Sequence, residues 1–246
     1  MIDDSVVIGA KCVIGPHVHV TGVTTVGSHN KFHAGCVIGD APQDLKYSGT
    51  PTRLNIGAEN VFREHVTVHR SNHPDSATVI GSGSLFMAHS HVGHNSVVGD
   101  RVILANGVLL AGHSEVQDRA FLSGHCMVHQ FTRVGTLALM QGGSGASLDV
   151  PPFTIATGNN TLCGLNIVGL RRAGISSEER LELKELYRFL FRSGRPRKAA
   201  LAEARVRFTT PSTSVLLDFI EGSKRGVCPD ASTIRRRFSQ SREESD

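Results

Sequence analysis

Counting in sixes from Ile80 lands on Ile80, Phe86, Val92, Val98, Leu104, Leu110, Val116, Leu122, Val128, Val134 and Met140 without meeting a polar residue. That period matches neither an α-helix nor a simple alternating strand; it fits very short strands joined by corners. Two residues before each apolar position stands a small or β-branched one, from Thr78, Ser84, Ser90 and Ser96 through Cys126, Thr132 and Ala138, which implies a second inward column. The same phase runs through Ile8, Ile14, Val20, Val26, Phe32 and Ile38, and again through Ile56, Phe62 and Val68. Gly often follows the apolar residue, as in Ile14-Gly15, Val98-Gly99 and Val134-Gly135, and is expected to let the chain turn each corner. Six residues per face on three faces make an 18-residue coil, hence a mainly β fold, a parallel β-helix.

Two polar stretches rich in turn formers, residues 41–54 and 71–77, interrupt the rhythm and are expected to be loops extruded from the coil. The rhythm ends after Asp149-Val150-Pro151-Pro152. From Ser176 the period becomes helical, with Ser and Glu as start signals, a buried face at Leu183, Leu186, Tyr187 and Leu190, and Gly194 as a stop. Further helices are expected over Arg197–Val206 and Thr213–Lys224. The domain plan is therefore a β-helix over 1–170, a helical C-terminal domain over 171–227 and a loosely ordered polar tail over 228–246.

Composition agrees with a narrow interior: there are 11 Phe and 2 Tyr but no Trp among 246 residues. No stretch approaches the roughly 20 apolar residues of a membrane span. The N-terminus is acidic where a signal peptide is basic, so the chain is expected to be cytoplasmic. The five cysteines, Cys12, Cys36, Cys126, Cys163 and Cys228, have neither disulfide-framework nor metal-site spacing. Charge divides unevenly. Residues 171–246 carry 17 Lys/Arg against 11 Asp/Glu, a net +6, which leaves −2 for residues 1–170. A basic helical arm suits an acidic partner. Nucleic acid is not expected, because aromatic residues do not interleave with the basic ones and no binding module is present.

The chain has 13 histidines, and the 18-residue coil allows them to be projected onto one turn. His113 falls at 95 and His129 at 93, beside His91 and His94. Four imidazoles thus gather at one corner over three coils, with neighbouring strands about 4.8 Å apart. A neutral imidazole there can act as a general base. His89, His91 and His94 also raise a metal, but no Cys or carboxylate nearby completes a ligand set, and none is expected.

In order along the chain stand QDLKYSGTPTRLNIG (43–57), REHVTVHR (63–70), HVGHNSVVGD (91–100), ILANGVLLAGH (103–113), VHQF (128–131), DVPPFTIATGN (149–159) and GLNIVGLRRAG (164–174). Together they closely resemble the acyl-[acyl-carrier-protein]–UDP-N-acetylglucosamine O-acyltransferase family of lipid A biosynthesis, from about Ile8 to Gly226. The resemblance implies a left-handed coil and a homotrimer with active sites between neighbouring β-helices. The implied reaction passes a 3-hydroxyacyl group from acyl carrier protein to the 3-OH of UDP-N-acetylglucosamine, with no cofactor, metal or covalent acyl-enzyme.

Carried over by motif, His94 is the general base and the Gly112 N–H is the oxyanion donor. Gln43, Asp44, Lys46, His91, His113, His129, Gln130, Asn166 and Arg172 bind substrate, while Leu139 and Gly142 limit acyl-chain length. The basic arm would meet the acidic carrier protein. Three positions depart from the family pattern: Asn95 stands where an Asp often orients the base, and Val168 and Ala173 replace polar residues near the nucleotide. Other activities share this architecture: N-acylation of a 3-amino sugar nucleotide, binding of nucleotide sugar or carrier protein without catalysis, and γ-type carbonic anhydrase chemistry. The QDLKY loop argues against the last of these.

Overall fold

The computed structural model describes residues 1–233, and the strands fall into three parallel sheets that the chain visits in rotation. The first sheet has seven strands, from Val7–Ile8 to Arg133–Val134. The second has nine, from Val13–Ile14 through Leu139–Met140 to a terminal hairpin, Thr154–Thr157 with Thr161–Leu165. The third has seven, from His19–Val20 to Gly145–Ala146. Most strands are two residues long, because a corner follows every six residues. The fold is the left-handed parallel β-helix expected, followed by helices.

Register gives the coil length directly. Val79 pairs with Val97, Leu85 with Ile103 and His91 with Leu109, each 18 residues on. Two coils are longer: Val23 pairs with Arg53, 30 residues away, and Arg53 with Ala77, 24 away. The extruded loops are therefore insertions of twelve residues (41–52) and six (71–76), whole multiples of the repeat. The strands resume sooner than expected: Arg53, Leu54 and Ala77 are strand residues, and the fully buried Leu54 belongs to the core. Both loops leave the same corner, between the third sheet and the first.

The inward columns are as the period implied. Ile80, Val92, Val98, Leu104 and Leu110 are buried, and so are Thr78, Ser84, Ser90 and Ser96 two residues before their partners. Phe32, Phe62 and Phe86 stack face to face at 4.8 and 4.6 Å on the second sheet, so this part of the interior is aromatic rather than aliphatic. The five cysteines are free thiols, and burial pushes Cys36 up to about 11.

The corners correct one expectation. At Gly39, after Ile38, the glycine is itself left-handed with φ 82°, but elsewhere the left-handed residue is the one two further on: Lys11 after Gly9, Glu59 after Gly57, Arg101 after Gly99, all with φ between 54° and 62°. The following glycine is required for another reason. A Cβ on Gly27 would lie 2.7 Å from the Gly57 backbone, and one on Gly57 would lie 2.7 Å from Gly81 O. Successive coils stack glycine on glycine there, closer than any side chain permits.

Helix α1 (Ile167–Arg172) begins before the expected boundary at 170, capped by Asn166. Helix α2 (Ser177–Arg192) is capped by Ser176, whose hydroxyl accepts the Glu179 N–H. Its buried face is Leu183, Leu186, Tyr187 and Phe191; Leu190 is only partly buried, because the 3.6-residue period carries the face on to 191. Helices α3 (Arg197–Arg207) and α4 (Pro211–Glu221) stand close to expectation.

The helices are fastened to the coil by buried charge. Arg133 makes a two-pronged contact to Asp149 at 3.1 and 2.9 Å, donates to Phe219 O and lies 4.2 Å over the Phe219 ring. The start of the tail is held as well, contrary to expectation. Cys228 is buried, and Asp230 is 1% exposed, accepting from Tyr187 and Arg192. Residues 234–246, with Arg235–Arg237, lie outside the described residues. No helix among the described residues is long and apolar enough to cross a membrane.

Candidate active site

The corner between the third and first sheets, beneath both extruded loops, opens into a cleft of about 860 Å³. Its lining includes Gln43, His69, His91, His94, Gly112, His129 and Gln130, then Leu109, Met127, Gly145 and Asn159. The repeat explains the arrangement. His91, Leu109, Met127 and Gly145 are register partners on successive strands of the third sheet, side chains outward. His94, Gly112 and Gln130 occupy the same corner position on the next three coils, one residue before left-handed Asn95, His113 and Phe131.

His94 is 8% exposed, and its Nδ1 lies 2.8 Å from Asn95 Oδ1. Gly112 faces the ring so closely that a Cβ there would lie 2.6 Å from His94 Nε2 and Cε1. Among the described residues the Gly112 N–H has no hydrogen-bond partner. A buried imidazole next to a free backbone donor can take a proton on one side of a reacting carbonyl and stabilise an oxyanion on the other.

Two of the other histidines are held below the ordinary histidine range. Burial, reinforced by His69 and His94, pushes His91 down to about 4, and its Nδ1 meets Thr67 Oγ1 at 2.8 Å. Burial also lowers His113, whose ring stands edge-on to His94 at 5.2 Å and stacks on Phe131 at 4.7 Å. His129 is exposed, with Nδ1 3.2 Å from Gln130 O. Asp44 is a carboxylate held below its usual range by the Lys46 N–H at 2.9 Å, then by the Asn72 amide at 2.7 Å. Lys46 is exposed at the loop surface. Among the described residues no group of three or more His, Cys, Asp or Glu side chains is placed to hold a metal ion.

Seven expected site residues do not line this cleft within one chain: Asp44, Lys46 and His113, described above, and four carried on other elements. Leu139 is on the second sheet and Gly142 on the corner that follows it. Arg172 is exposed in the last turn of α1. Asn166 is 8% exposed, with its amide occupied by Gly169 N and Leu137 O, so within the chain it is a cap.

Conversely, the structure adds His69 and Asn72. His69 is 7% exposed, edge-on to His91 at 4.8 Å, and lowered by burial. Its coil is 24 residues long because of the loop, since Thr67 pairs with His91, so projection by 18 misplaced it. Projection by 24 puts His69 at 93, beside His94.

The chain is similar to known proteins in both sequence and fold. The family model described as UDP N-acetylglucosamine O-acyltransferase, domain 2, matches residues 149–228, and the bacterial transferase hexapeptide model matches residues 77–112. A protein of Thermodesulfovibrio yellowstonii named acyl-[acyl-carrier-protein]–UDP-N-acetylglucosamine O-acyltransferase is 43% identical over 92% of this chain and 94% of its own length. One of the same name from Anaeromyxobacter is 42% identical over 85% and 82%. The solved Arabidopsis UDP-N-acetylglucosamine acyltransferase superimposes with a TM-score of 0.84 at 34% identity, covering 92% of this chain and 91% of that one. The Francisella novicida enzyme superimposes with a TM-score of 0.79 at 33% identity, covering 94% and 90%.

Proposed function

The chain belongs to the acyl-[acyl-carrier-protein]–UDP-N-acetylglucosamine O-acyltransferase family and is an enzyme of that activity, and from that premise we propose a mechanism in which His94 is the general base and no acyl-enzyme forms. The sugar 3-OH loses its proton to His94 Nε2 as its oxygen attacks the thioester carbonyl. Negative charge gathers on the carbonyl oxygen, where the Gly112 N–H meets it. Collapse forms the ester and expels the carrier-protein thiolate, which takes the proton back from the imidazolium. No cofactor or metal enters these steps.

The observation that carries this reading is the buried His94 ring packed against Gly112, whose N–H is without a partner among the described residues, at the head of an outward apolar strip. That strip, Leu109 and Met127, is about half exposed in one chain and offers an aliphatic tail a surface leading away from the base. His91, His113, His129, Gln130, Gln43, Asp44 and Lys46 surround the place where the sugar and thioester would meet, with Lys46 as the cation for phosphate.

We assign the distant residues to a neighbouring copy. A homotrimer that sets the second sheet of one chain against the third sheet of the next would bring Leu139 and Gly142 to the acyl strip, leaving Asn166 and Arg172 for the nucleotide end. Exposed Val168 and the Ala173 cap would add few nucleotide contacts. The +6 helical segment would steer an acidic carrier protein. The reaction would stand at the first step of lipid A biosynthesis, in the cytoplasm.

Mass spectrometry of the product formed from mixed 3-hydroxyacyl carrier proteins, offered with UDP-N-acetylglucosamine and with its 3-amino analogue, tests the proposal. Ester on the hydroxyl sugar is the expected outcome, with the favoured chain length read from the same spectrum. Exclusive amide formation, or binding of both substrates without turnover, would overturn it.

A further inference from the structure

Asn95 brings no charge to the base, yet it is the best-anchored side chain at the site. Its Nδ2 donates to Ser76 Oγ at 2.8 Å and Ser71 Oγ at 3.1 Å, and its backbone N–H donates to Thr78 Oγ1 at 2.8 Å. The backbone N–H of Asn72 reaches the other end of the amide at 3.0 Å. A backbone N–H can only donate, so the atom it meets is the carbonyl oxygen. The same oxygen stands 2.8 Å from His94 Nδ1, which must therefore be the donor. The proton sits on Nδ1, and the Nε2 lone pair is free to face the cleft.

The Asn72 side chain reaches the opposite way and donates to Asp44 Oδ2 at 2.7 Å. One residue of the six-residue loop thus holds both the orienting amide of the base and the carboxylate of the twelve-residue loop. Resting on the acyltransferase reading, we propose that Asn72 is a positioning residue: it seats the Asn95 amide that fixes the His94 tautomer, and it brings the Asp44 charge to bear on the imidazolium that an adjacent carboxylate would otherwise stabilise. Of the titratable groups that face His94 among the described residues, namely His69, His91, His113 and Asp44, only Asp44 supplies negative charge. Its attraction favours the imidazolium that forms as the base takes up the substrate's proton.

Nitrogen-15 NMR of histidine-labelled, ligand-free protein reads the tautomer without any assay. His94 is expected as the Nδ1–H form in the unmodified protein, and Asn95→Leu is expected to populate the Nε2–H form. Asn72→Ala keeps its backbone N–H, so it should keep the tautomer while moving the acid limb of the kcat/KM profile to lower pH, as a weakened charge interaction would. Asp44→Asn should give the same shift, and the double variant no more than either single one. An Nε2–H form in the unmodified protein, or shifts that add in the double variant, would overturn the proposal. Failure of the unmodified protein to acylate any acceptor would instead sink the acyltransferase reading and leave both NMR results standing.

Discussion

At the corner between the second and third sheets, the left-handed position is held by His17, His65, His89 and His125 and, on the other coils, by Gly35, Gly107 and Gly143. At the corner between the third and first sheets it is held by Asn95, His113 and Phe131. The backbone problem is the same, and histidine is one of the few side chains that tolerates positive φ. His65 and His89 stack at 5.1 Å and stay exposed. The second corner differs because the two extruded loops supply amide and hydroxyl partners to Asn95, beside the buried His94. Much of the histidine richness is therefore corner geometry, and chemistry begins where a histidine gains burial and a fixed tautomer.

The sharpest way to break this comparison is to remove one histidine from each corner. His94→Ala should lower kcat by about 10²–10⁴, the usual cost of losing a general base. His89→Ala should leave steady-state rates unchanged. Equal losses would show that the corners are not functionally distinct.

Glycine gives a second pair. Gly112 and Gly124 occupy the same position two residues after an inward leucine, Leu110 and Leu122. A Cβ at 112 lies 2.6 Å from the His94 ring, whereas one at 124 meets nothing closer than Asn106 O at 3.5 Å. Gly112→Ala should displace the base and cost about 10² in kcat, comparable to loss of an oxyanion donor. Gly124→Ala should match the unmodified enzyme. An active Gly112→Ala enzyme would put the reacting carbonyl elsewhere.

How far the corners could be told apart from sequence alone follows from what periodicity encodes. The columns, the three faces and the meeting of His91, His94, His113 and His129 all follow from repeats of six and eighteen. His69 was hidden because plain projection loses step at each insertion, and Asn72 because it lies in the inserted six-residue loop itself, where no repeat places it. The corner glycines were identified correctly but explained wrongly, since their need comes from contact with the coil above, which no single repeat contains. Asp230 looked like solvated tail because its partners Tyr187 and Arg192 lie about forty residues earlier. Residues such as Leu139 and Gly142 match a motif but stand off the cleft within one chain, and one chain's pattern carries no record of a neighbour that would bring them to it.

Protonation offers the mildest test of the same contrast. His91 is held down to about 4 by burial, whereas an unfolded histidine titrates near 6.5. Between those values the unfolded chain binds a proton that the folded chain refuses, so stability rises with pH across that window. Lowering pH from 6.5 toward 4 should therefore cost stability, with no further loss from this group below its folded value. His91→Gln cannot take up that proton and should flatten the slope of unfolding free energy against pH in urea titrations. Replacing exposed His89 in the same way should leave the slope as it was. If both variants flatten it equally, burial is not what separates the corners; if neither does, the remaining slope belongs to His69 and His113, which burial also holds below the ordinary histidine range.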